Sequence, residues 1–278
     1  MKIELRPFII CLAMLAGALL IAGCGDASEP SMGQPQDMTL PDSDWETDAD
    51  SDADADSDTS ACSGTTIRVP GDCRTIQEAV DQATPDSYST MQANTTIILT
   101  NGVYYENVVI PPLVSIAIIC ENGAVAIIDG GADSAITMDH GSALRLQEIT
   151  IVSKQTDRYS RFPTILANMS RSLILESVQV FTSAKAIAAL STDDLTILRS
   201  TISGNMSSDG GTGVALIDQT KGSYAFILEN KFENLYQGIL TCSNPVGPAP
   251  LLSLIRYEDS NQYEDVTYPL DACPWTEQ

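Results

Sequence analysis

Between residues 154 and 162 the chain sets Lys154, Arg158, Tyr159, Arg161 and Phe162, in a protein of 278 residues with only 14 lysines and arginines. Guanidinium forks grip carboxylates through paired hydrogen bonds, and aromatic faces stack on sugar rings, so this grouping fits capture of an anionic glycan. It fits equally a loop folded over a scaffold wall, with its arginines paired to nearby carboxylates. Other residues offer different chemistry. Asp193-Asp194 is a carboxylate pair, read here as a turn between Ile187 and Ile197. Asp129, Asp133 and Asp139 are the oxygen donors from which a calcium site could be built. Asp129-Gly130-Gly131 is also ordinary turn chemistry. His140 is the only histidine and no two cysteines have CxxC spacing, so no metal site is assigned.

These groups need a scaffold, and the sequence from Cys62 onward supplies one. Thr66 to Val69 reads as a strand. Thr75 to Ala83 reads as a short helix with a Thr75/Glu78 capping box and Ile76, Ala79, Val80 and Ala83 on one face. Strand-rich sequence follows at Thr96–Leu99, Asn107–Ile110 and Val114–Ile119. A repeat then emerges. Ile136, Leu146 and Ile151 are spaced by ten and five; Ile165, Leu175, Val180 and then Ile187, Ile197, Ile202 keep that spacing. Val214, Ile227, Phe232 and Ile239, Leu252, Tyr257 keep the five and stretch the ten to thirteen, as a loop insertion does. Two residues before each middle member stand Leu144, Leu173, Leu195, Ala225 and Pro250, the alternation of a strand in all but the last coil.

Short strands recurring every 20 to 30 residues without helical period predict a solenoid, since one coil alone cannot bury its inward side chains. About seven coils at the strand spacing make a rod of roughly 30 Å. The stretches Thr75–Val80, Gly102–Glu106, Val114–Ile116 and Ile127–Gly130 resemble the N-terminal coils of right-handed parallel β-helix proteins of the pectin-lyase-like superfamily. The resemblance implies an all-β, single-stranded, right-handed parallel β-helix over residues 62–278, with the short helix capping its N-terminal end. It implies little about activity, because that superfamily hosts lyases, hydrolases, esterases, epimerases and proteins without known catalysis. The pectinesterase residue set cannot be placed on this chain. The polygalacturonase order fails too: His140-Gly141 precedes Asp193-Asp194, and no Arg-Ile-Lys follows. No catalytic residue is therefore assigned. On this scaffold Cys62 is expected to pair with Cys73 and Cys242 with Cys273, closing both ends and leaving Cys120 as a buried free thiol.

The N-terminal region carries an address. Lys2 and Arg6 precede an apolar core from Pro7 to Ile21, and Leu20-Ile21-Ala22-Gly23-Cys24 resembles the lipobox of bacterial lipoproteins. The resemblance implies a signal peptide over 1–23, acylation of Cys24, and a lipid anchor in place of a spanning helix. Gly25, and not Asp, follows the cysteine; in Gram-negative lipoproteins that implies the outer membrane, at the cell surface or its periplasmic face. Residues 24–61 include the alternating run Asp48 to Asp58 and bury too little apolar surface to fold, so they are expected to form a disordered acidic linker. No glycine and closing glutamate follow the run at EF-hand positions. As a flexible coil of about 37 residues the linker spans about 35 Å, and about 120 Å at full stretch.

Much of the formal charge of −23 sits in this linker, and so acidic a chain is no nucleic-acid ligand. Two functional classes stay open. One is a non-catalytic surface lipoprotein presenting loops to a carbohydrate or protein partner. The other is a polysaccharide-active enzyme, a lyase, hydrolase or esterase that departs from the known residue sets. The missing sets favour the first. No cofactor is called for beyond the weak case for calcium.

Overall fold

In the computed structural model, residues 62–83, 93–154, 162–204, 211–219, 223–242, 255–256 and 260–272 are described. All of the described residues lie in the second of the chain's two units, Asp56–Gln278. The signal peptide, Cys24 and the acidic linker lie outside the described residues. Among the described residues no helix is long and apolar enough to cross a membrane.

The second unit is an all-β parallel solenoid of about six turns. Strand β1 (Thr66–Val69) and helix α1 (Ile76–Asp81) come first. The turns follow as β2 (Thr95–Leu99), β3 (Gly102–Tyr104), β4 (Val108–Ile110); β5 (Ser115–Cys120), β6 (Ala126–Asp129), β7 (Ile136–Met138); and β8 (Ala143–Gln147), β9 (Thr150–Ser153), β10 (Pro163–Asn168). Next are β11 (Ser172–Glu176), β12 (Gln179–Thr182), β13 (Lys185–Leu190); then β14 (Asp194–Leu198), β15 (Thr201–Ser203), β16 (Thr212–Ile217). In the last turns the second and third strands fuse: β17 (Tyr224–Leu228) leads to β18 (Lys231–Cys242), and β19 (Ile255–Arg256) to β20 (Gln262–Ala272). The first strand of every turn joins an eight-stranded sheet. The second and third strands form the two wings of a twelve-stranded sheet linked through β18.

Parallel register places like residues above one another. Ile136, Ile165, Ile187, Val214 and Ile239 form one inward column. Leu146, Leu175, Ile197 and Ile227 form a second, extended upward by Ile67, Ile97 and Ile118. Ile151, Val180, Ile202 and Phe232 form a third. All of these side chains are fully buried. The repeat read from the sequence is thus the ladder itself, except in the last turn. There Ile255 stands opposite Ala225 and Tyr263 opposite Phe232, not Pro250 and Tyr257 as expected. More chain separates β18 from β19 than a thirteen-residue spacing provides, and the long strand β18 sets the register of β20.

From β8 to β18 two corners of each turn carry a residue in the left-handed region. Glu148, Ser177, Arg199 and Glu229 turn the first face into the second, with φ between 49° and 58°. Leu113, Met169, Ser191 and Asp218, with Gly141, turn the third face into the next turn's first. Side chains other than Gly, Asn and Asp seldom adopt this region. Each of these amides donates across the stack: Glu148 N–H to Glu176 O at 3.1 Å, Ser177 to Leu198 O at 3.0 Å, Arg199 to Leu228 O at 3.2 Å. Behind the first corner a polar ladder runs through the core. Buried Asn230 accepts from the Ser200 amide at 2.9 Å and donates to Ile197 O at 2.8 Å. Asn261 does the same one turn on, toward the Asn230 amide and Ile227 O.

The ends differ. At the N-terminal end α1 buries Ile76, Ala79 and Val80 against β1, β2 and β4. Its capping box is formed by Thr75 and Glu78, and Glu106 accepts from the Ile76 and Gln77 amides at 3.0 and 3.1 Å. The Gln77 side chain pairs with both the N–H and the C=O of Val109, taking the place of a neighbouring strand along β4. The Cys62–Cys73 disulfide ties this end, and Cys120 is a buried free thiol. At the other end Thr241 is paired with Ala272, one residue before the pair expected between Cys242 and Cys273. Residue 273 itself lies outside the described residues.

Asn230→Ala leaves a buried amide and a buried carbonyl without partners, and is expected to cost about 3 kcal/mol. Urea unfolding should show a lower midpoint at unchanged slope. An unaltered midpoint would mean that water replaces the ladder without loss.

Candidate functional site

The third corner, between the second and third faces, has no fixed construction. It is one residue in the fused strands, Asn234 in β18 and Asp265 in β20, both left-handed. In the earlier turns residues 105–107, 130–135, 154–162, 183–184 and 204–211 separate the two strands. Backbones approach closely here. A Cβ on Gly130 would lie 2.5 Å from Ala135 Cα, and one on Gly204 would lie 2.4 Å from Asn234 O, so both positions exclude a side chain.

Sequence reasoning placed Lys154, Arg158, Tyr159, Arg161 and Phe162 together, and the fold seats that segment at this corner. Lys154 follows β9 and Phe162 precedes β10. Arg158, Tyr159 and Arg161 lie outside the described residues. Lys154 is engaged: its Nζ is 2.7 Å from Asp129 Oδ2, and its amide donates to Gly131 O at 2.6 Å. The other oxygen of Asp129 accepts from the Gly131 amide at 2.9 Å, so the turn expected at Asp129-Gly130-Gly131 is present. Asp129 is buried while the Lys154 side chain is 70% exposed. The ammonium beside it holds the Asp129 carboxyl below the usual aspartate range, and the same contact raises Lys154. Lys154 therefore braces the base of the segment.

Three neighbours that the sequence did not single out complete the corner. Tyr105, 77% exposed, follows β3 and lies close enough to add to the field at Lys154. Phe181, also exposed, stands beside Val152 in the register of β9 and β12. Lys185 opens β13 opposite Pro163, one turn below Phe162. Among the described residues Lys185 makes no ion pair and no side-chain hydrogen bond. No spacing rule marks Tyr105 or Lys185, because only the stacking of turns brings them to the segment.

No match to this chain exists among protein-family models, curated proteins or solved structures. The corner offers exposed aromatic faces and one uncommitted ammonium around a segment that contributes two more cations from the sequence.

The remaining candidates are engaged elsewhere. Asp139 accepts from His140 Nδ1 at 2.6 Å, from the His140 amide at 2.9 Å and from Asn168, and the His140 amide, then its ring, lowers the Asp139 carboxyl pKa. Ser142 lies nearby, but its Oγ is buried without a hydrogen-bond partner and makes no bond to the imidazole. Asp129, Asp133 and Asp139 do not converge: among the described residues no three His, Cys, Asp or Glu side chains could hold a metal ion. Glu176 bridges Arg145 at 2.8 Å and Arg199. Burial pushes the Cys120 thiol up, away from reactivity. Asp193-Asp194 is only half a turn: Asp193 bends the chain and Asp194 opens β14. Burial, and Asp193 beside it, raise the Asp194 carboxyl.

The lowered pKa of Asp129 adds stability that is complete above the ordinary aspartate range and is lost as pH falls through the lowered value. Lys154→Met removes that dependence. It is expected to lower Tm at neutral pH by no more than about 2 °C, the pair being half in solvent, and to leave the melt at about pH 2 unchanged. Parallel Tm curves against pH for the two proteins would remove the pair from this account.

Proposed function

We propose that this protein is a lipid-anchored outer-membrane lipoprotein, acylated at Cys24, whose solenoid displays a non-catalytic binding site for an acidic glycan. The solenoid is read as right-handed, as parallel strand crossovers prefer, and as pectin-lyase-like in its first coils. Carrying this reading is the composition of the third corner: Tyr105 and Phe162 exposed, Lys185 uncommitted, and the segment with Arg158, Tyr159 and Arg161 entering and leaving between them. Stacking on the aromatic rings and two-point contacts from arginine suit a uronate chain. The engagement of Asp129, Asp139 and Glu176 in ion pairs supports binding over acid–base chemistry.

Uronate polymers on a glycan array provide the test. Arg158→Ala/Arg161→Ala and Lys185→Glu are each expected to weaken binding at least tenfold, and Cys24→Ser to move the protein to the soluble fraction. Retention of binding in both arginine and lysine variants would overturn the site; membrane retention of Cys24→Ser would overturn the anchor.

A second reading is favoured by Asp194. A raised carboxyl beside an acidic neighbour is the arrangement that supplies a general acid and a base in glycoside hydrolysis, and Tyr224 flanks Asp194 in register on the same face. Under this reading Asp194→Asn abolishes reducing-sugar release from uronate polymers. Under the binding reading there is no such release to lose. The variant also raises Tm at neutral pH, because a raised carboxyl costs stability above its folded pKa, and that gain fades as pH falls toward the ordinary aspartate value.

A further inference from the structure

The two ends of the solenoid are built to opposite rules. At the N-terminal end, α1 covers the core and the Gln77 side chain occupies the hydrogen-bonding groups of Val109. At the C-terminal end β20 pairs with β18 on one side, and no described strand pairs with its outer edge. Among the described residues nothing covers the core there. Along the column Ile136, Ile165, Ile187, Val214 and Ile239 every side chain is 0% exposed, yet Leu270, next in register below Ile239, is 40% exposed. Tyr268 beside it is 45% exposed, and Val266, below Leu235, is only partly covered.

An edge of eleven residues with apolar side chains exposed beneath it is a template for one more strand. Pro269 does not break it: its carbonyl lies 2.6 Å from a Cβ placed on Gly238 of β18, so the amide it lacks belongs to the paired side. The charge on the rung selects the occupant. Glu264, Asp265 and Asp271 lie in β20, which has no Lys, Arg or His. A second copy of this chain would bring the same carboxylates against themselves, and like charges across strands repel. We infer that the outer edge of β20 docks an extended segment of another protein, one that alternates apolar and basic residues, and adds it as a further rung. Its apolar residues would cover Leu270 and Val266, and its cations would face Asp265 and the exposed Glu264, which already pairs with Lys231 at 2.9 Å. This surface is independent of the glycan corner.

The test uses the full chain carrying Cys24→Ser and labelled octapeptides in fluorescence anisotropy. A peptide alternating lysine and valine is expected to bind saturably, at least tenfold tighter than peptides alternating glutamate with valine or lysine with proline. The last has the same charge and cannot pair as a strand. Leu270→Asp should weaken the lysine–valine peptide at least tenfold, although it adds a negative charge. Val266→Asp, at the other apolar position that the added strand would cover, should do likewise. Thermal melts confirm that each variant keeps its fold; where one does not, the other decides. Equal binding of the lysine–proline peptide, or unchanged or tighter binding to the folded variants, would reduce the effect to bulk charge and overturn the inference. So would sedimentation showing a dimer that Leu270→Asp dissolves, since the occupant would then be a second copy.

Discussion

The structure depends on one constraint: each turn's backbone must hydrogen-bond to the turn before and after it, in register, along the whole stack. A turn of this size cannot bury its own apolar side chains, so its stability is borrowed from its neighbours. Register then decides everything inward. Because Leu175 must lie against both Leu146 and Ile197, any residue out of phase would move from the core to solvent. The left-handed corners serve the same constraint. At Glu148, Ser177 and Arg199 the chain accepts an unfavoured conformation, of order 1 kcal/mol each, because it aims the corner amide at the next turn's carbonyl. A buried amide left unpaired would cost more.

Much of this was legible in the sequence, and the reason is geometric. Constant spacing of ten and five exists because two of the three corners are built on a left-handed residue, so the inward columns recur at fixed intervals. The Thr75/Glu78 box and the pairing of Cys62 with Cys73 were legible for a similar reason, being local. What failed was the last turn. Its register is set by β18, a strand twice the length of those above it, and by an insertion whose length the earlier repeat does not predict. The corner residues escaped notice too. Glu, Ser, Arg, Met and Leu carry no left-handed signature of their own, and their conformation is imposed by tertiary hydrogen bonding.

The candidate site shows the same division. The cluster from Lys154 to Phe162 was visible as composition, but what Lys154 does was not. Asp129 lies 25 residues away in sequence and becomes its partner only because β6 and β9 are adjacent. An exposed lysine in an acidic chain is an attractive ligand contact on paper. In the fold its charge is largely neutralised by a buried carboxylate, and cations available to a ligand must come from elsewhere. Lys185 and Tyr105 illustrate the converse: nothing in their local sequence distinguishes them, and stacking alone brings them to the corner.

Solenoid construction also explains why binding features gather where they do. From β8 to β18 the corner between the first and second faces keeps a constant two residues, held by the left-handed ladder. The third corner is free because the strands on either side of it hold their register independently, as shown by columns that continue unbroken past segments as different as residues 130–135 and 204–211. Variation in loop length, and with it recognition, gathers at that edge and at the ends, with one further insertion between β16 and β17. The ends obey the same logic in a sharper form. A repeat that satisfies every backbone group through its neighbours must leave one set unsatisfied where it stops. This chain resolves that problem with a helix, a glutamine side chain and a disulfide at one end. At the other, Leu270 continues the column below Ile239 into solvent, so the force that built the stack still acts on whatever strand comes next.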